Sequence, residues 1–215
     1  MSEETRAREA ITALARSMFD RGLTHGTTGN ISARLSDGRI LMTPTGVSFG
    51  WLDPATLSLL DTDGRQLSGA SPTKERPLHT AFYETRAGTG AVVHLHSSHS
   101  VAWSMMPEVD PDAVIPPLTS YAVMRAGRVK LLPFFVPGDP AMADAIRALS
   151  GTRSAVMLAN HGPVVAGQDL ISAAAAIEEI EETARLALLT RGVPKTGLSP
   201  EQIRAVAQAF NTEWS

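Results

Sequence analysis

The sequence predicts an α/β sandwich built around a largely antiparallel or mixed sheet. Helix-period segments are interspersed with short strand pairs closed by hairpin-like turns. The regular strand–helix alternation and the GxGxxG run of a doubly wound nucleotide fold are both missing.

Apolar residues at Ala7, Ile11, Leu14, Ala15 and Met18 predict a helix over Glu3 to Arg21, stopped by Gly22. The polar run Thr24 to Asn30 breaks that period and leads into an alternating strand, Ile31 to Leu35. Asp37-Gly38 turns the chain into a second strand, Arg39 to Thr43, which Pro44-Thr45-Gly46 ends. After a turn at Asp53-Pro54, Leu57 to Asp61 and Arg65 to Leu67 form a hairpin through Thr62-Asp63-Gly64. A helix follows within Pro72 to Arg86, starting near Lys74, with Leu78, Phe82 and Thr85 turned inward.

Ala91 to His96 opens apolar and β-branched and predicts a strand, and Ser97 caps a helix over Ser98 to Met105. Pro107, Pro111, Pro116 and Pro117 make the next stretch loop. Lys130 to Val136 then reads as strand and Pro140 to Leu149 as helix, with proline tolerated in its first turn. Ser154 to Leu158 is a strand whose partner, Gly162 to Val165, lies across an Asn160-His161 turn. The longest helix spans Asp169 to Arg191, with Ile171, Ala174, Ala175, Ile177, Ile180, Ala184 and Leu188 as its apolar face, and Gly192 and Pro194 stop it. Ser199-Pro200-Glu201-Gln202 combines a capping serine, proline at the first helical position and glutamine three beyond the cap, so a final helix follows.

With 215 residues, 43% hydrophobic and 19% charged, and no linker-like break, the chain reads as one globular domain over 1–215. It has no cysteine, which excludes disulfides and thiolate metal sites; a buried transition metal must be held by histidine and carboxylate. A net charge of −3 without a basic stripe argues against nucleic acid as partner. No run is long enough to span a membrane, and Met1 to Phe19 carries Glu3, Glu4 and Glu9 and no uninterrupted apolar core. A cytoplasmic protein is expected.

Six histidines are present: His25, His79, His94, His96, His99 and His161. On a strand, residues i and i+2 share a face, so His94 and His96 can aim both imidazoles at one ion. The same spacing also suits two histidines making ordinary hydrogen bonds. His161, delivered to a sharp Asn-His-Gly-Pro turn by the run Ala155 to Ala159, is the best candidate for a third ligand, and three protein ligands with an open position form a catalytic zinc site. Glu75, near a helix start, can act as metal ligand or general base, or serve only as a favourable first-turn glutamate. His79, four residues on, can share its face or simply pack.

Thr27-Thr28-Gly29-Asn30 and Thr43-Pro44-Thr45-Gly46 are two similar small-polar turns at strand boundaries. Their hydroxyls, amide and backbone N–H groups can surround a phosphate without a P-loop. Thr73 and Lys74 can complete that pocket through a hydroxyl and a positive charge.

Gly29-Asn30-Ile31-Ser32, Met42-Thr43-Pro44-Thr45-Gly46, Lys74-Glu75, His94-Leu95-His96 and Ala159-Asn160-His161-Gly162-Pro163 together resemble the class II aldolase/adducin family, from the opening helix to about Arg191. The resemblance implies a three-layer α/β/α sandwich with a central, mainly antiparallel sheet, assembled as a homotetramer. It implies that His94, His96 and His161 hold one Zn2+ or another divalent metal per subunit, and that Glu75 is a catalytic acid/base that also approaches the metal. Thr28, Gly29, Asn30, Thr45 and Gly46 fall where the family holds substrate phosphate. Thr73-Lys74 stands where many aldolases have a serine pair.

The runs Leu67-Ser68-Gly69, His96-Ser97-Ser98-His99-Ser100, Pro116-Pro117-Leu118-Thr119-Ser120-Tyr121 and Pro137-Gly138-Asp139-Pro140 resemble the branch that decarboxylates 3-oxo-tetronate 4-phosphates. The implied partner is thus a small phosphorylated sugar acid, converted through a metal-stabilised enediolate to dihydroxyacetone phosphate and carbon dioxide. Tyr121 or water stands beside Glu75 as a candidate proton donor. Aldolases and epimerases of the family use a tyrosine in the C-terminal region, where this chain has none. A sugar-phosphate aldolase or 4-epimerase is the enzymatic alternative, and a non-enzymatic adducin-like binding module the third reading.

Overall fold

The computed structural model describes residues 1–214; Ser215, the end of the expected 1–215 domain, lies outside the described residues. Its helices are α1 (Glu3–Asp20), α2 (Arg76–Thr85), α3 (Ser98–Ser104), α4 (Ala141–Ala148), α5 (Leu170–Leu189) and α6 (Pro200–Phe210). Its strands are β1 (Asn30–Arg34), β2 (Ile40–Met42), β3 (Ser58–Leu60), β4 (Gln66–Ser68), β5 (Ala91–His94), β6 (Lys130–Leu132), β7 (Ala155–Leu158) and β8 (Gly162–Gly167). One sheet runs β4-β3-β2-β1-β5-β8-β7-β6, and each neighbouring pair is antiparallel except β6 with β7. This is the mainly antiparallel α/β architecture that the sequence predicts.

Strand alternation divides the interior in two. Val92, Val156, Leu158, Val164 and Ala166 pack with Leu78 and Phe82 of α2 and Met142 and Ile146 of α4. Their neighbours Ala91, Val93, Ala155, Met157 and Val165 face the other way, onto Ile11 and Met18 of α1 and Ile177 and Ile180 of α5. Full burial of such side chains stabilises by about 1.5–3 kcal/mol each, and β5, β8 and β7 are covered on both faces. By the same alternation His94 belongs to the α2 face, directly opposite Asn30 of β1 in the ladder.

Several boundaries differ from the sequence expectation. The strand at His94 ends there rather than at His96; one further bond, from Leu95 N–H to the Pro163 carbonyl, carries the ladder on before α3 begins. The strand predicted to reach Val136 stops at Leu132, because Pro133 has no N–H for the ladder and Phe134 and Val136 are exposed. Thr85 is not turned inward: it is half-buried and its hydroxyl donates to the Ala81 carbonyl. The buried stripe of α2 is Leu78, His79, Ala81 and Phe82.

On α5, Ile171 is 75% exposed, and the contact face is carried by Ala173, Ala176 and Thr183 as well as Ala174, Ile177, Ile180 and Ala184. The alanine-rich sequence is apolar on too many sides for periodicity to single out that face. A π-helical turn at Ala122–Ala126 and 3₁₀ turns at Phe49–Trp51 and Pro54–Thr56 complete the chain. The last of these has the Asp53 side chain as its cap, as the Asp53-Pro54 signal implies. Ser199 and Gln202 form the reciprocal capping box expected for α6. No helix among the described residues is long and apolar enough to cross a membrane.

Candidate metal centre and phosphate cleft

Three separate segments deliver the four proposed metal-site residues. Glu75 is the residue immediately before α2, His94 ends β5 with His96 two residues beyond, and His161 occupies the turn between β7 and β8. One donor atom from each lies within 4.8 Å of all the others. Two glycines make this convergence possible. Gly162 has φ +148°, and a Cβ there would sit 2.1 Å from the Leu95 carbonyl oxygen; Gly29 has φ +85°, and its Cβ would lie 3.0 Å from the His94 carbonyl.

The donor chemistry fits a divalent cation. His94 is fully buried, and its Nδ1–H donates to the Pro163 carbonyl at 2.8 Å, which leaves Nε2 as the ring atom offered to the cluster. That Nε2 has no hydrogen-bond partner, nor does Oε1 of Glu75. Nε2 of His94 stands 3.4 Å from Oε2 of Glu75, and Nε2 of His161 stands 3.3 Å from Oε1. Imidazole nitrogens and a carboxylate converge on one point, and a cation there would satisfy the donors that have no partner.

Electrostatics agree with that donor set. Burial, reinforced by His94 and His161, holds His96 down to about 3; burial and then His94 hold His161 down to about 4. Both therefore stay neutral and ligand-competent at physiological pH. Burial pushes the Glu75 carboxyl up, but His94, the Asn30 hydrogen bond and His161 together outweigh it and keep Glu75 below the ordinary carboxylate value.

The cluster opens onto a cleft. Thr28, Gly29, Asn30, Thr45, Gly46, Thr73 and Lys74 all line it, together with Glu75, His96 and His161. The Thr43–Gly46 turn is tied to the segment before Glu75 by backbone bonds from Thr45 N–H to the Ser71 carbonyl and from Thr73 N–H to the Thr43 carbonyl, so Thr45 and Thr73 share one wall. Lys74 is exposed and makes no ion pair among the described residues. Pro137 and Gly138 form an opposing edge.

Two of the phosphate candidates have other commitments. Both donors of Thr28 turn onto the His25 carbonyl, and Asn30 donates its amide to Oε2 of Glu75 at 2.8 Å.

Tyr121 is not brought to the cluster. It is 57% exposed, in a separate hollow with Arg21, Arg125 and Glu178. The π-turn that follows it packs on α5, across the sheet from α2, so Tyr121 cannot serve as proton donor to the cleft of its own chain. His99 is likewise turned away, onto Glu181 of α5 at 2.8 Å. Glu181, rather than Ser97, accepts the first free N–H groups of α3, from His99 and Ser100. His79, which the sequence leaves between packing and function, is fully buried and bonded to Asn30.

Residues 9–188 match the class II aldolase and adducin N-terminal domain. Over 218 aligned residues, covering 100% of both chains, the sequence is 41% identical to the 3-oxo-tetronate 4-phosphate decarboxylase of Cupriavidus necator. It is 31% identical to the L-fuculose phosphate aldolase of Escherichia coli K12, over 89% of this chain and 87% of that one. The crystal structure of YgbL from Escherichia coli superposes with a TM-score of 0.93 at 42% identity, covering 95% of this chain and 99% of that chain. The chain belongs to the class II aldolase and adducin family.

Proposed function

We propose that this protein is a metal-dependent carboxy-lyase that converts 3-oxo-tetronate 4-phosphate to dihydroxyacetone phosphate and carbon dioxide, with residues 1–215 acting as one catalytic domain. The observation that carries the reading is a single cleft that joins Glu75, whose Oε1 is unpartnered, and the rings of His96 and His161 to Lys74, Thr45 and Gly46. Such a cleft suits a substrate with an oxygen-rich reacting end and an anionic tail. The decarboxylase relative, aligned end to end, supports the choice of acid.

His94, His96 and His161 would hold the metal, with Glu75 beside or on it; three histidines with a carboxylate and an open position suit zinc, and no thiolate competes in a chain without cysteine. When bound, the metal supplies an electrophile for the negative charge that develops at the ketone oxygen as carbon dioxide departs. Lys74, Thr45, Thr73 and the glycine N–H groups hold the phosphate and use that remote binding to orient the reacting end. Net decarboxylation takes up one proton from solvent at the carbon that loses the carboxylate, and Glu75, ionised at rest, would first take that proton from water in the cleft. Glu75 is our shuttle for it, because Oε2 is tethered by Asn30 while Oε1 remains free of partners.

The main alternative is a sugar-phosphate aldolase, which in cleavage needs a base for the hydroxyl that becomes the aldehyde carbonyl, and in the reverse direction a donor for the same oxygen. Of the two tyrosines, Tyr83 is bonded to Ser32 and Tyr121 lies across the sheet, so neither serves within this chain. Zinc-loaded protein incubated with both stereoisomers of 3-oxo-tetronate 4-phosphate should release carbon dioxide and dihydroxyacetone phosphate in equal amounts. Inertness towards both, alongside rapid cleavage of fuculose 1-phosphate, would replace this reading with the aldolase. Assembly as a homotetramer, carried over from the family resemblance, is checked by light scattering.

A further inference from the structure

Behind Glu75 runs a buried polar ladder that the reaction above does not use. Glu75, His79 and Tyr83 are spaced four apart at and along α2; Asn30 and Ser32 are two apart on β1. Four helical residues rise about 6 Å and two strand residues about 6.6 Å, so the rows interleave. Asn30 lies between Glu75 and His79, bonded to Oε2 at 2.8 Å and to the ring Nε2 at 2.5 Å. Ser32 lies between His79 Nδ1, at 2.7 Å, and the Tyr83 hydroxyl, at 2.9 Å.

Only one proton arrangement satisfies every member. The carboxylate accepts, so the Asn30 NH2 donates to it and the Asn30 carbonyl oxygen faces His79. His79 must then donate from Nε2 and carry its lone pair on Nδ1, which accepts from the Ser32 hydroxyl, which accepts from Tyr83. Burial and then His94 hold His79 down to about 3, so the ring stays neutral and the arrangement persists. Every bond donates towards Glu75. An amide does not pass protons along, so the ladder is a support and not a wire.

We propose that His79 is a positioning residue: by donating to the Asn30 carbonyl it locks the amide with its N–H edge on Glu75, holding Oε2 and leaving Oε1 to the reacting end. This rests on Glu75 being the proton shuttle. Without the His79 donor, the Asn30 amide is free to flip and to present its oxygen to a carboxylate in a buried site.

The test begins with wild-type, metal-free protein labelled with 15N-histidine. Its NMR spectrum should show His79 as the Nε2–H tautomer; an Nδ1–H tautomer would overturn the proposal. For turnover, His79→Leu should lower kcat about tenfold, in the range for residues behind a metal site, with bound metal and KM within about twofold of wild type. His79→Gln, which keeps an N–H donor, should recover kcat to within about threefold. Equal impairment in both variants, or full turnover in His79→Leu, would refute the positioning role. If His79→Leu does not fold, Ser32→Ala removes the donor to Nδ1 and should alter the His79 tautomer signals; unchanged signals would also count against the ladder. An inactive wild type, or a fully active Glu75→Gln, would remove the proposed function while the tautomer result still decides the ladder.

Discussion

Nε2 of His96 and Nε2 of His161 face each other at 3.1 Å, with ring centroids 4.5 Å apart and the planes nearly perpendicular. Both rings are neutral at physiological pH, so one ion between them would satisfy two lone pairs at once. His96→Ala should weaken metal binding at least about 100-fold, more than loss of a residue behind the ligands costs. Elemental analysis of the purified variant checks this; full occupancy would exclude His96 as a ligand.

Glu75→Gln keeps the shape and removes the charge. Turnover should fall by roughly 10²–10⁴, the usual contribution of a general acid/base, while part of the metal stays on the three histidines. Near-normal carbon dioxide release would take Glu75 out of the mechanism.

Lys74→Ala probes the phosphate end. A charged hydrogen bond contributes about 1.5–3 kcal/mol when well sheltered. Exposure discounts that for Lys74, so KM should rise roughly tenfold with kcat changed far less. A drop confined to kcat would assign Lys74 to the reacting end instead.

Acid should destabilise the metal-free protein early. His79, His96 and His161 are held down to about 3, about 3 and about 4 in the folded chain, against an ordinary 6.5. Below 6.5 the unfolded chain therefore binds protons that the folded chain refuses, and stability drops as pH falls, by about 1.4 kcal/mol per pH unit for each histidine fully in the window. The loss runs from about pH 6.5 towards about 3 to 4 and vanishes above 6.5. Thermal melts at pH 7.5, 6 and 5 measure it, and a flat midpoint across that series would contradict the neutral burial.

Gly162→Ala forces a Cβ against the Leu95 carbonyl, where 2.1 Å separates them, at a φ of +148°. A loss of about 1–3 kcal/mol or more is expected in urea denaturation, together with weaker metal binding through displacement of His161. Unchanged stability would mean that the turn relaxes freely.

What the sequence discloses depends on whether one local period carries the information. The pair His94 and His96 is legible because strands repeat every two residues, and the phosphate turns because threonine and glycine cluster at two strand ends. His161 needs a turn after β7 from which β8 returns beside β5, which the family motif supplies and periodicity does not. The ladder through His79 and Ser32 escapes notice because each row alone looks like ordinary polar spacing; only the match between helix rise and strand rise joins them. Tyr121 misleads because nothing in a proline-rich loop says which face of the sheet it returns to. The strand at Lys130 is overextended for a similar reason, since Phe134 and Val136 have β-forming side chains on a segment that Pro133 has released from the ladder.

The separation of the metal-site residues along the chain has a consequence for biosynthesis. Glu75 and His94 emerge from the ribosome long before His161, and no early fragment contains the whole set. The donors meet only when β8 docks against β5, a pairing across distant sequence whose loop-closure cost must be met before the site exists. Metal capture should thus mark that docking, so that the rate of zinc uptake during refolding reports the closing of this central pair.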